Sequence, residues 1–349
     1  MNHHPFRFAA ICIVACTIIV LILYAFADKP NEKLNGFKRI IRHEALIPEK
    51  SINVQYSGYY FAGSTDRYVY LGNYTAALHM LRIDQRTMDT AIFNLRVDST
   101  EKAIWKYMRL MVDYPKMYIA EGISPSLFQG NVDSLYLTRF AEKSCYFTHA
   151  LNIAPATFLV RGANNSVYRL LKLQTDTPYI IPYPGLLIPQ SEGLFSTDGT
   201  IIKDKITGKI VYVYQYRNEF ICLDSCLESL YTGHTIDTNT IAKIQVATIT
   251  EQNKRMFKAP AVHVNRTAYA YNDRLYIISA LLADNEPRNE SKKHNVMDVY
   301  SLSSGIYLYS SYIPKIDHKN TEAILITGNT LYAIAENHLS QYKMNALQQ

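Results

Sequence analysis

Cys222 and Cys226 form the pair in this sequence whose types and spacing can do covalent chemistry. Along an extended strand, four residues span about 13 Å, well beyond the roughly 4.4–6.8 Å between the Cα atoms of a disulfide. A turn through Leu223, Asp224 and Ser225 shortens that distance, and a disulfide then requires an oxidising compartment. The competing reading is two unpaired, half-buried thiols. Two cysteines fall short of the four ligands of a structural zinc site, so no metal site is assigned. Cys145 has no evident partner, and Cys12 and Cys16 lie in an apolar run.

The ten histidines do not fall at ligand spacing. His79 sits within a predicted strand. His149 and His263 lie in or beside strands where they can face a central channel, but no carboxylate accompanies them in sequence. Asp66, Asp113, Asp133 and Asp273 stand at strand ends, where aspartate serves turn geometry first and calcium or catalysis second. The chain contains no G-x-G-x-x-G, P-loop, G-x-S-x-G, H-E-x-x-H or EF-hand loop. No catalytic residue and no cofactor is assigned. Tyrosine is the compositional outlier, 28 residues against the single Trp105. Its alternation, as in Tyr212, Tyr214 and Tyr216 or Tyr307 and Tyr309, fits packing on a pleated surface, with a minority left for a recognition rim.

The elements that must carry these residues are short strands rich in Tyr, Ile, Val and Leu, separated by Gly, Asn, Asp and Pro. One helical stretch stands out, near 100–110 around Trp105. A turn followed by an apolar five-residue strand recurs six times, beginning at Arg67, Lys116, Ala156, Lys209, Arg274 and Thr330. A second strand usually follows, as at Leu78–Ile83, Ser134–Leu137, Val167–Leu170, Phe220–Leu223, Val299–Leu302 and Leu339–Tyr342. Repeats about 40–65 residues long with about four strands each are the mark of propeller blades. From Ala323 to Met344 there is room for only three strands, so a strand within Ile41–Val54 is expected to complete the last blade and close the ring. The prediction is an all-β, six-bladed β-propeller, with an irregular β-sandwich pair as the alternative. Two stretches depart from the repeat. Ala283–Asn295 is a charged insertion, read as a surface loop or a partner contact. Asp237–Pro260 is a long connection with strand character at Ile244–Ala247. Pro178, Pro182, Pro184 and Pro189 mark a rigid edge between blades.

Ahead of the repeats, residues 1–7 form a short tail and residues 8–27 an uncharged apolar run. As a helix, that run is about 30 Å long, the thickness of a bilayer's hydrocarbon core. A retained transmembrane anchor, a signal peptide cut after Ala27 and a lipoprotein modified at Cys16 compete for it. Its length favours the anchor over a signal peptide, whose apolar core spans about 7–15 residues. Residues 28–40 read as a polar stalk and 41–345 as the propeller. The basic cluster Lys29–Arg42 argues for a cytoplasmic body, whereas the short tail and the Ala25-Phe26-Ala27 site argue for export. Export is the expectation adopted: a single pass through the inner membrane, with the body in the periplasm. The net charge of +6 is mild and interspersed, which excludes a nucleic-acid footprint.

In its pattern, over residues 40–345, the chain resembles the TolB-like or NHL-like six-bladed propellers of exported bacterial proteins, including those of Bacteroidetes type behind an N-terminal anchor or lipid. It carries neither a WD dipeptide nor a kelch double glycine. The resemblance implies architecture more than activity. The function it leads us to expect is a membrane-tethered, non-catalytic binding or scaffolding module for a membrane or periplasmic protein. The alternatives are a metal-dependent hydrolase or lactonase-like enzyme, which needs carboxylates converging on the axis, and an envelope-glycan binder, which needs tyrosines beside Asn or Asp at one rim.

Overall fold

The computed structural model describes residues 12–20, 35–98, 108–123, 126–142, 145–164, 167–175, 179–190, 195–249 and 254–345. The chain divides into two units, Met1–Asn35 and Gly36–Gln349. In the first, residues 12–20 form a helix and the remainder of the apolar run lies outside the described residues. Among the described residues no helix is long and apolar enough to cross a membrane.

The second unit is a ring of six antiparallel sheets. Blade 1 comprises Tyr59–Ser64, Tyr68–Asn73, His79–Asp84 and Thr90–Asn94, in that order from the axis outward. Blade 2 comprises Arg109–Asp113, Lys116–Glu121, Ser126–Asn131 and Tyr136–Glu142, and Arg96–Val97 adds a fifth strand parallel to the last. Blade 3 runs through Phe147–Ala154, Thr157–Asn164, Val167–Leu173 and Ile180–Tyr183. Blade 4 runs through Gly199–Lys203, Ile210–Tyr214, Glu219–Leu223 and Ser229–His234. Blade 5 runs through Asn265–Tyr271, Arg274–Ser279, His294–Ser301 and Tyr307–Pro314. Blade 6 takes Ala323–Thr327, Thr330–Ala335 and His338–Met344 from the C-terminal end, and Leu46–Asn53 from the N-terminal end. The first strands of neighbouring blades touch all the way round the ring, which excludes a sandwich pair.

All six sequence repeats are second strands. These strands are covered on both faces by adjacent blades, so they read as continuous apolar runs rather than alternating ones. Ring closure follows the expected route: Leu46 pairs with Met344 and Asn53 with His338, antiparallel, so the two chain ends are joined by backbone hydrogen bonds. One strand was misplaced from sequence. Ser134–Leu137 leads into the fourth strand of blade 2, and Ser126–Asn131 is the third. Of the stretch expected as a helix, residues 99–107 lie outside the described residues and Arg109–Asp113 is a strand.

Two other readings change. The polar stalk ends earlier than residue 40, because Phe37 and Arg39 are buried against blade 5. The charged insertion is what holds them. The Gly36 amide donates to the Asp284 carboxylate, and the Arg39 amide donates to Asn285 Oδ1. The Arg39 guanidinium pairs with Glu286 and Asp298. A short helix, Arg288–Lys293, completes that insertion. Pro182 lies on the outermost strand of blade 3, a position where a missing amide costs no ladder bond.

Candidate binding face and axial mouth

The two ends of the ring differ. At one end the strands are joined by tight turns, such as Thr65–Arg67 and Lys203–Lys209. The other end carries the long connections: 184–198, 235–264 and 280–293. Two of these are locked together. Gln190 donates to the Thr240 carbonyl and accepts from the Ala242 amide. The Phe195 ring packs on Phe257, with centroids 4.5 Å apart, and Phe257 lies in a hairpin formed by Val246–Ile249 and Lys254–Phe257. Blade 4 fixes both. Buried Arg217 donates to the carbonyls of Ile188 and Ser196, and Asn218 Nδ2 donates to that of Asp237. This surface leaves large apolar side chains in water: Ile188, Ile241, Met256 and Val262 are each 40% or more exposed.

Where this end meets the axis, the charge is basic. Arg109 and Arg266 stand at the starts of the first strands of blades 2 and 5. Arg109 lies over the rings of Tyr60 and Tyr74, 4.9 Å from each centroid, and donates to the Tyr74 hydroxyl. Arg161 donates to Thr148 Oγ1 at 3.0 Å, to the Gly199 carbonyl at 2.9 Å and to the Tyr212 hydroxyl at 3.2 Å, and its Nη2 is 3.2 Å from Asp198. Burial raises the Asp198 carboxyl's pKa, and Arg161 only partly offsets this. Burial lowers the pKa of Arg266, which among the described residues has no acid partner.

His149 lies in the first strand of blade 3, and its company is basic. Burial, Arg109 and Arg161 together push its imidazole down to about 3. His263 reaches this end, bonded to Gln215 at 2.9 Å and ring-packed on Tyr216; burial and Arg266 keep it neutral more readily than usual. His79 is instead a packing residue, bonded to the Tyr59 hydroxyl at 2.7 Å.

The loop aspartates stay apart from one another. Asp113 pairs with Lys205, Asp273 with Lys209, and Asp133 accepts from the Tyr114 hydroxyl, all at the turn end. Among the described residues no group of three or more His, Cys, Asp or Glu is placed to hold a metal ion. Cys222 is buried in the third strand of blade 4, Cys226 is exposed in the following turn, and both are free thiols. Tyr212, Tyr214 and Tyr216 are buried packing residues, whereas Tyr56, Tyr74 and Tyr146 remain exposed at the end of the long connections.

The arginines of the mouth went unnoticed in the sequence because each is isolated there. The one available signal was Arg161, a charge interrupting the apolar run Phe158–Val160 of a second strand.

No protein-family model matches the sequence, and no curated protein matches it. Among solved structures, the chain is similar to a member of the DUF4221 family from Bacteroides vulgatus, with a TM-score of 0.54 at 11% identity over 87% of this chain and 99% of that one. It is also similar to a catalytically inactive virginiamycin B lyase from Staphylococcus aureus in complex with quinupristin, with a TM-score of 0.50 at 11% identity over 85% and 99% of the two chains. At that identity the likeness concerns the fold, and the fold it supports is the six-bladed propeller.

Proposed function

We propose that this chain is a binding module that recognises a protein partner through the face bearing the long connections. The observation that carries this reading is the pair of interlocked connections, 184–190 and 235–264, which present Ile188, Ile241, Met256 and Val262 to water. Apolar side chains held out on a rigid scaffold mark interaction surfaces. Arg109, Arg161 and Arg266 lie at the adjoining mouth, so the favoured partner segment is apolar with an acidic flank. The same basic charges disfavour the hydrolase alternative, since they repel a divalent cation at the axis.

The apolar run 8–27 supports a further part of the proposal: it tethers the body to the inner membrane, with the body on the periplasmic side. Fractionation of the full chain, beside a chain lacking 1–27, tests the tether; a full chain that washes off membranes at alkaline pH rejects it.

The binding face is tested by photocrosslinking in cells from Ile241 or Val262, with Tyr136 at the turn end as the control. A discrete adduct from the first two positions, absent from Tyr136 and lost on Ile188→Asp, is the expected result. An adduct that forms equally from both ends, or none from Ile241 and Val262, overturns the reading.

A further inference from the structure

The turn end carries a second site, independent of the face described above. Between blades 5 and 6 lies an open cleft of about 640 Å³. Its walls combine aromatic rings, Tyr271, Tyr276 and Tyr309, with amide side chains, Asn272, Asn329 and Asn345. The turn at Asn272 and Asp273 takes left-handed backbone angles, φ 48° and 62°, which seats both side chains at the rim. The Tyr271 hydroxyl is already fixed by the Gly328 amide at 2.9 Å, so that ring is held in place before any ligand arrives.

The charge of the cleft is unbalanced. Asp273 is neutralised within the fold, by Lys209 Nζ at 2.7 Å and by the Ser303 hydroxyl at 2.6 Å. Arg274 lines the cleft and acts electrostatically on Tyr276 and Tyr309. Arg42 lies over the other part of the Tyr309 environment, 5.1 Å from the ring centroid. Among the described residues neither guanidinium has an ion-pair or hydrogen-bond partner. Arg274 is the arginine that lines the cleft; unpaired there beside tyrosine rings and amide side chains, it makes a site for a ligand with a flat apolar face, many hydroxyls and a negative charge.

We propose that this cleft binds an acidic sugar, a uronic-acid residue of a glycan chain, with its carboxylate on Arg274 and its ring against Tyr309 or Tyr271. Guanidinium binds carboxylate in a planar fork that lysine cannot reproduce. Asn272 and Asn329 supply donors and acceptors to the hydroxyls, and Asn345, whose Nδ2 already donates to the Glu44 carbonyl at 2.6 Å, offers its Oδ1.

The test uses the full chain with methyl-labelled methionine, because Met344 lines the cleft and reports locally. The probes are trigalacturonic acid and trimannuronic acid, with galactotriose as the neutral control. The expected result is a saturable shift of the Met344 methyl signal with at least one acidic trimer. Affinity for galactotriose is at least tenfold weaker, and Arg274→Gln loses at least tenfold for the acidic trimer. An unchanged Met344 signal and melting temperature in Arg274→Gln without ligand show that the variant is folded. Arg169→Gln, in the third strand of blade 3 and outside both sites, leaves the titration unchanged. A neutral trimer that binds as well as the acidic ones overturns the proposal. So does an Arg274→Gln variant with full affinity, or a Met344 signal that no acidic trimer moves.

Discussion

Asp298 grips Arg39 with both carboxylate oxygens, Oδ1 2.7 Å from Nε and Oδ2 3.0 Å from Nη2, across 259 residues of sequence. Glu286 takes the remaining nitrogen, Nη1, which also donates to the Leu281 carbonyl at 3.0 Å. All three charged side chains are 3% exposed or less. The Ser310 hydroxyl also donates to Asp298 Oδ1. These bonds hold residues 36–40 on blade 5, immediately before the segment that runs on to complete blade 6. The segment ahead of the propeller is thus fastened to the ring at two successive points, first by charge and then by strand pairing.

Replacing Arg39 alone strands two carboxylates in a buried setting. Arg39→Met is expected to lower stability by about 3–5 kcal/mol, the usual consequence of removing one partner of a buried pair. The triple change Arg39→Met, Glu286→Leu and Asp298→Leu is expected to recover at least half of that loss, since no charge is then left unpaired. Urea unfolding of the three proteins checks both statements. A single variant as stable as the parent shows that the contact does not hold the segment in solution.

Near the axis, Gly63 sets how closely blades 1 and 2 approach. A methyl group added at Gly63 overlaps the Val112 carbonyl oxygen, which belongs to the backbone of the next blade's first strand and cannot swing away. Gly63→Ala is therefore expected to destabilise by about 1–3 kcal/mol, the range for overpacking a filled interior. Gly185→Ala is the useful contrast: it has no neighbour within 4 Å, and its left-handed backbone, φ 85°, makes strain its dominant cost. A Gly63→Ala protein that unfolds at the parent's urea concentration contradicts this account of the inter-blade spacing.

What was legible in the sequence follows from burial. Second strands are enclosed on both faces, so the runs at Tyr68–Leu71 or Ile210–Val213 stay apolar without interruption and repeat visibly. First strands lie at the crowded axis, where small and polar residues are admitted. Gly199-Thr200-Ile201-Ile202-Lys203 and Phe147-Thr148-His149-Ala150 therefore carry little pattern. The closing strand was inferred from a shortage of strands at the C-terminal end, a topological argument that needs no signal in Leu46–Asn53 itself. The basic mouth and the cleft at Arg274 were not legible. The mouth assembles single residues from different blades, and the cleft sets the turn 271–274 of blade 5 against residues of blade 6, so separation in sequence says nothing of distance. The charged insertion was legible as an insertion only, because what it holds is the short segment 36–39, some 250 residues away.

The thiols make a third prediction, read in a Cys12→Ser, Cys16→Ser background. Cys226 is exposed and is expected to react first with a maleimide. Cys145 follows slowly, since burial pushes its thiol up to about 11 and leaves little thiolate at neutral pH. Cys222 is fully buried among strands of blades 4 and 5 and is expected to react only on unfolding. Labelling followed by peptide mass spectrometry gives the order. If Cys222 and Cys226 both resist labelling until a reductant is added, they are joined by a disulfide and the turn between them is rearranged.

His149 makes the last prediction, and the sign is fixed by its surroundings. In the unfolded chain its imidazole titrates near 6.5. In the ring, burial and the charges of Arg109 and Arg161 push it down to about 3. Between those values the unfolded chain binds the extra proton and the folded chain does not, so stability falls as the pH is lowered. The contribution is complete above pH 6.5 and declines below it, by about 2 kcal/mol at pH 5 from this group. His149→Gln is expected to flatten the dependence of the urea midpoint between pH 7 and pH 5, and Arg109→Gln to weaken it by relieving one of the two cations. An unchanged slope in His149→Gln places the acid sensitivity elsewhere. The same electrostatics tie this residue to the proposed binding face. An acidic group seated at the mouth offsets the arginines and lets His149 hold its proton at a higher pH.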